Sequence, residues 1–161
     1  MKLIIKNKLM TLKGGSTVTN EMGEDVFVVK GKLISPSKKK YICDLEGNKL
    51  FTVRNKMLPG LLHAAYIYDA EGNKYGKLQM KVSLSESYKL EKSPDNIVIK
   101  KSNEHQGIAI YKNDEEIGIM LRRVTAFKDS FVLDCLKDSE AALLTALVIA
   151  IDNIEDNIID D

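Results

Sequence analysis

Seven cations on two neighbouring stretches are the residues of this chain best suited to chemistry. In "VVKGKLISPSKKK", Lys30 and Lys32 fall on one side of an extended run, and Lys38, Lys39 and Lys40 follow in the loop. Arg54 and Lys56 take the equivalent strand after the next turn. If the two units lie side by side, these groups form one positive patch able to meet phosphates. Each lysine is worth about 1 kcal/mol near an anionic surface. Lysines in such places also have a plainer use, because charge at strand edges discourages sheet-to-sheet aggregation. Nucleic acid fits less well: aromatic residues do not interleave with the cations for base stacking, and no groove-reading helix is evident.

Other chemistry has less support. His63 and His105 stand apart, without a cysteine or second histidine at zinc spacing. The turns "DLEGN" and "DAEGN" carry oxygen donors, but their glycine sits fourth, not sixth as in a calcium-binding EF-hand loop. "LKGGST" (Leu12 to Thr17) lacks the spaced Gly-Lys-Ser/Thr of a phosphate loop and reads as a turn. A catalytic triad assembles in space, so a hydrolase stays the most distant reading, with no nucleophile elbow behind it. Cys43 and Cys135 lie in alternating apolar runs and read as reduced, half-buried thiols. No metal or cofactor is expected.

The elements that position the cations repeat along the chain. "TVTNEMGEDVFVVK" (Thr17 to Lys30), "YICDLEGNKLFTVR" (Tyr41 to Arg54) and "YIYDAEGNKYGKLQ" (Tyr66 to Gln79) share an Asx residue at the fourth position and a glycine three further on. "IAIYKNDEEIGIML" (Ile108 to Leu121) is a looser copy that turns on Asn113 and Asp114. The Asx side chain begins a turn by bonding its own backbone, glycine supplies positive φ, and alternating runs lead in and out, which makes each unit a β-hairpin. With the extended pieces between them, the units give about ten to twelve short strands. In the outgoing run "LFTVR", Thr52 and Arg54 face one side and Val53 the other.

At Asp138 the pattern changes. "AALLTALVIAI" (Ala141 to Ile151) has Thr145 as its sole polar residue, and its alanines and leucines favour helix. Asp138 or Ser139 would cap a helix over about 139–152. A surface helix shows a polar stripe, and this one has none before Asp152. Eleven residues span roughly 16 Å at 1.5 Å each, about half a bilayer's hydrocarbon core, so the segment is expected to be a buried core helix and not a membrane span. The N-terminal "MKLIIKNKLM" is too short in apolar residues for a signal peptide, and a cytoplasmic location follows by default. Residues 1–151 carry 24 bases against 18 acids, whereas the last ten residues hold five acids and no base. Residues 152–161 thus read as a frayed, solubilising acidic tail.

Hairpin repeats followed by one all-apolar helix resemble the LURP-one-related family, whose fold is similar to the tubby C-terminal domain and is also attributed to phospholipid scramblases. The likeness is carried by "LIIKNKLMTL", "YICDLEGNKLFTVRNKML", "YIYDAEGNKYGKL" and the helix at Ala141 to Ile151, and it covers essentially the whole chain. It implies a mainly β fold of one domain over 1–161: a closed antiparallel β-barrel of about twelve strands around a buried hydrophobic helix. Tubby relatives bind phosphoinositides through surface lysines and arginines. The scramblases' cysteine cluster and long terminal hydrophobic segment are missing here, which counts against lipid transport. The family itself hands over no chemistry, since its bacterial and plant members are largely without an assigned activity and no motif here carries over either site. The basic stretches lead to the expectation of a non-enzymatic binding module, peripheral at a membrane surface, for an anionic lipid or a phosphorylated ligand. A protein-interaction domain is the alternative.

Overall fold

The hairpin units are built as their turn chemistry requires. A computed structural model of the chain describes residues 1–6, 15–31, 37–56, 64–81, 87–102, 107–123 and 130–159. In it the side chains of Asn20, Asp44 and Asp69 accept the backbone N–H of Glu24, Asn48 and Asn73 at 2.9, 2.8 and 2.7 Å. Gly47 supplies a φ of 93° between Asp44 and Asn48, in the region that penalises a side chain. The fourth unit turns on Asn113 and Asp114 at φ 51° and 68°, the two left-handed residues of a type I′ hairpin.

Twelve strands result among the described residues. They are β1 Lys2–Lys6, β2 Gly15–Asn20, β3 Asp25–Gly31, β4 Lys40–Cys43, β5 Lys49–Asn55 and β6 Ala64–Tyr68. After them come β7 Lys74–Lys81, β8 Ser87–Glu91, β9 Ile97–Lys101, β10 Ile108–Lys112, β11 Glu115–Arg123 and β12 Ser130–Cys135. Each pairs antiparallel with its chain neighbours, and β1 pairs with β12, so the sheet closes into the expected barrel. Closure removes every sheet edge. Because neighbours run in opposite directions, connections alternate between two ends. The tight Asx turns all lie at one end, called here the hairpin end.

Away from the far mouth, inward positions are apolar around the whole circumference: Leu3, Val18, Ile42, Val53, Ile67, Leu78, Ile99 and Leu133 are completely buried. They surround helix α1, Ala141–Ile159, which enters at the hairpin end through a 3₁₀ turn at Asp138–Glu140. Leu144, Leu147, Val148, Ile149 and Ile151 have no exposed surface. Thr145 is as buried, and its hydroxyl donates to the Ala141 carbonyl at 2.8 Å. On β11 the wall carries Gly118, whose added Cβ would stand 2.9 Å from Leu144 of the helix. No described helix is long and apolar enough to cross a membrane.

Two expectations about this helix need correction. Asp138 and Ser139 lie within the 3₁₀ turn instead of capping an α-helix, and Asp138 meets the Met1 amino group at 3.2 Å. The helix also continues past residue 152, and the supposed tail begins inside the barrel: Asp152, Asn153 and Ile154 are buried. Polar partners at the far mouth make this possible. Asp152 faces the ammonium of Lys40 at 3.7 Å. Asn55 donates to the Asn153 carbonyl at 3.2 Å, and the Asn153 side chain donates to the Lys38 carbonyl at 3.1 Å. Glu155 accepts the Tyr88 hydroxyl and the Arg122 guanidinium, both at 3.0 Å. A buried carboxylate needs such pairing to remain charged.

Leu147→Asp removes the condition on which the barrel closes, because it sets an unpaired carboxylate among apolar side chains. The variant is expected to lose its cooperative thermal transition in circular dichroism. A native-like melt would contradict the buried helix.

Candidate anion-binding surface

Alternation along β5 turns Val53 and Asn55 inward and therefore puts Arg54 on the outer wall. On β6 the same rule sets Tyr66 and Tyr68 outward, on either side of buried Ile67. Register places Arg54 opposite Tyr66, and Tyr66 opposite Lys77 of β7. Arg54 Nε and Nη2 both donate to the Tyr68 hydroxyl, at 2.9 and 2.6 Å. Its guanidinium carbon lies 5.4 and 5.2 Å from the Tyr66 and Tyr68 ring centroids. Lys74 brings its ammonium 4.3 Å from the Tyr66 centroid, and Lys39 lies 5.2 Å from that of Tyr41. Lys77 is steadied by a 3.1 Å bond to Gln79. Each cation–π approach is worth about 0.5–1 kcal/mol at an exposed site, enough to restrict side chains that would otherwise sample many rotamers.

Of the seven predicted cations, Lys39 and Arg54 come together on this wall. Lys30 stands on the outer face of β3, but its ammonium lies beside Gly47, towards the hairpin end. Lys38 adopts φ 43° and presents its carbonyl to the helix. Lys40 belongs to β4 and not to the loop where it was expected. It shares the inward parity of its partner Val53, and only 12% of its side chain is exposed. Lys56 is half-buried just beyond β5, its N–H bonded to the Ala64 carbonyl at 3.0 Å. Lys32 lies outside the described residues.

Four members of the wall were missed by spacing within single strands: Tyr66, Tyr68, Lys74 and Lys77. Cross-strand register assembles them. The signal available was the third repeat, "YIYDAEGNKYGK", whose alternate tyrosines mark one face of β6. The expectation that aromatics do not interleave with the cations is overturned, since Tyr41, Tyr66 and Tyr68 do so on this wall and Tyr111 does so beneath Lys100 on β9.

The electrostatics of the two ends differ. All described carboxylates of residues 1–151 lie in the hairpin-end turns or the strand residues flanking them. Strands running the other way finish on Lys6, Lys81 and Lys101, among others. Three partly buried cations elsewhere face carboxylates: Lys40 faces Asp152, Lys112 faces Asp95 and Glu140, and Arg122 faces Glu155. Among the described residues, no carboxylate lies within ion-pair distance of Arg54.

The sequence model of the LURP-one-related family matches residues 1–152, all of the barrel and the helix as far as its polar residues. The chain belongs to that family. A crystal structure of a protein from Arabidopsis thaliana is similar to it, with a TM-score of 0.50 at 13% identity over 94% of this chain and 91% of that one. At that identity the likeness bears on the fold alone. No curated protein matches the sequence.

In this LURP-one-related barrel the other chemical candidates are occupied structurally. The Asp44 carboxylate is bonded by the side chain and backbone of Asn48, which hold its pKa below the usual value. It closes its own turn, as Asp69 does. Among the described residues, no group of three His, Cys, Asp or Glu side chains could hold a metal. His63 and His105 lie outside the described residues. Burial pushes the Cys135 thiol up to about 12, far from the thiolate that makes a cysteine nucleophilic. Cys135 in the folded chain is therefore expected to resist a thiol reagent at pH 8 and to react once guanidinium is added. Rapid labelling of the native chain, located by peptide mass mapping, would contradict this.

Proposed function

We propose that this protein is a non-enzymatic binding module that recognises anionic phospholipid head groups or a phosphorylated ligand through its basic outer wall. The observation that carries the reading is the convergence of Lys39, just before β4, with Arg54, Lys74 and Lys77 on β5–β7, where no described carboxylate lies within ion-pair distance of Arg54. Lys30, Lys38 and Lys56 extend the positive field around that centre, while Lys40 holds the helix through Asp152. A field of one sign draws in counter-charged partners, and a closed barrel supplies rigid strands on which to hang it. On this reading the protein works at the cytoplasmic surface of a membrane, as a peripheral protein.

A second reading, a protein-interaction domain, is favoured by the hairpin end. Met22, Leu45 and Leu136 are 75%, 59% and 51% exposed there, and an open groove is lined by Met1, Lys2, Asn20, Glu21, Met22 and Asp134. Large exposed apolar side chains at one end suit a partner surface.

Flotation with vesicles separates the two. Lys39→Glu, Lys74→Glu and Lys77→Glu combined is expected to abolish recovery with acidic vesicles while leaving the melting temperature within a few degrees. Equal recovery of variant and wild type would sink the lipid reading, and a stable protein partner retained by the same variant would favour the second.

A further inference from the structure

Arg54 differs from Lys40, Lys112 and Arg122, the partly buried cations that face carboxylates, in what surrounds it. Two of its five N–H groups are used on the Tyr68 hydroxyl, and no described acceptor takes the other three. The Tyr68 oxygen already accepts two charged N–H bonds, so its own proton is directed away from Arg54 and is polarised by those bonds. Lys74 and Lys77 add ammonium groups, which also only donate. The result is a cluster of donors on a rigid sheet face, with Gln79 the nearby acceptor and already engaged by Lys77. A half-buried guanidinium without an anion beside it carries a desolvation cost that an external anion would offset.

We infer that Arg54 and Tyr68 form a site for a terminal phosphate monoester, with Arg54 binding it and Tyr68 positioning the guanidinium. This rests on the proposed anionic-ligand reading and makes it stereochemical: the wall reads a phosphoryl group and not merely charge density. A monoester presents three oxygens and close to two negative charges near neutral pH, which matches a donor-only cluster of this size. A diester presents two free oxygens and one charge, and leaves donors unused. Arg54 offers planar paired N–H groups where a lysine would offer a point charge. The two tyrosine rings hold that plane in place before the ligand arrives, which lowers the ordering cost of binding.

The test compares vesicles of phosphatidylcholine containing phosphatidic acid, a monoester, with vesicles matched in surface charge by phosphatidylglycerol, a diester. Wild type is expected to prefer the monoester, and Arg54→Lys to lose about tenfold on the monoester arm alone, the scale of a lost charge-assisted hydrogen-bond pair. Tyr68→Phe keeps the ring and is expected to lower the preference without changing the melting temperature, which a merely structural tyrosine would shift. Competition by free glycerol 3-phosphate indicates that the phosphoryl group suffices, whereas Arg54-dependent binding without competition assigns the contact to the lipid-borne monoester. Equal binding to both vesicle types, or an unchanged preference in Arg54→Lys, overturns the inference while leaving the electrostatic reading standing. Failure of wild type to bind either vesicle overturns both.

Discussion

A helix with no polar stripe can be kept from water only by surrounding it, and that requirement governs this molecule. The apolar run ending at Ile151 offers no face to solvent, so a sheet covering one side would leave the other exposed. Closure by pairing β1 with β12 meets the requirement. It also explains why inward positions are apolar on strands from every quarter of the barrel, and why a glycine, Gly118, stands opposite Leu144. The stabilisation is large: burying one Leu or Ile side chain contributes about 1.5–3 kcal/mol, and the helix buries several.

The same constraint frees the outer surface. With the apolar faces turned inward, the outward positions of each strand can carry charge, and turn chemistry decides which sign goes where. Asx and acidic residues suit the hairpin turns, where Asn20, Asp44 and Asp69 bond the backbone. Cations occupy the walls and the strand ends beyond. On β5–β7 that arrangement sets a guanidinium between two tyrosines. Its direction is inherited from strands locked at Val53 and Ile67 against the core, so the geometry of the surface depends on the buried helix.

Much of this was legible in the residues. The Asx–glycine repeat marked the hairpins because turn chemistry is local, and the all-apolar run marked a buried helix because periodicity is local too. What could not be read was set by register and parity across strands. Lys40 looked like its neighbours Lys38 and Lys39, yet its pairing with Val53 turns it towards Asp152. Asp152 and Asn153 looked like the start of a solvated tail because their partners, Lys40 and Asn55, lie about a hundred residues away. Tyr66 and Tyr68 stood within one repeat unit and Arg54 within another, and pairing of β5 with β6 was needed to join them.

The central claim, that the wall around Arg54 takes up phosphate, is tested most directly by nuclear magnetic resonance of the ¹⁵N-labelled chain. Short-chain phosphatidic acid, kept below its micelle concentration, would be titrated in. The account predicts saturable shifts of the Arg54 side-chain Nε–H together with the backbone amides of Arg54, Tyr66 and Tyr68. Shifts confined to the hairpin-end turns, or an Arg54 Nε–H that does not move while other amides do, would contradict it.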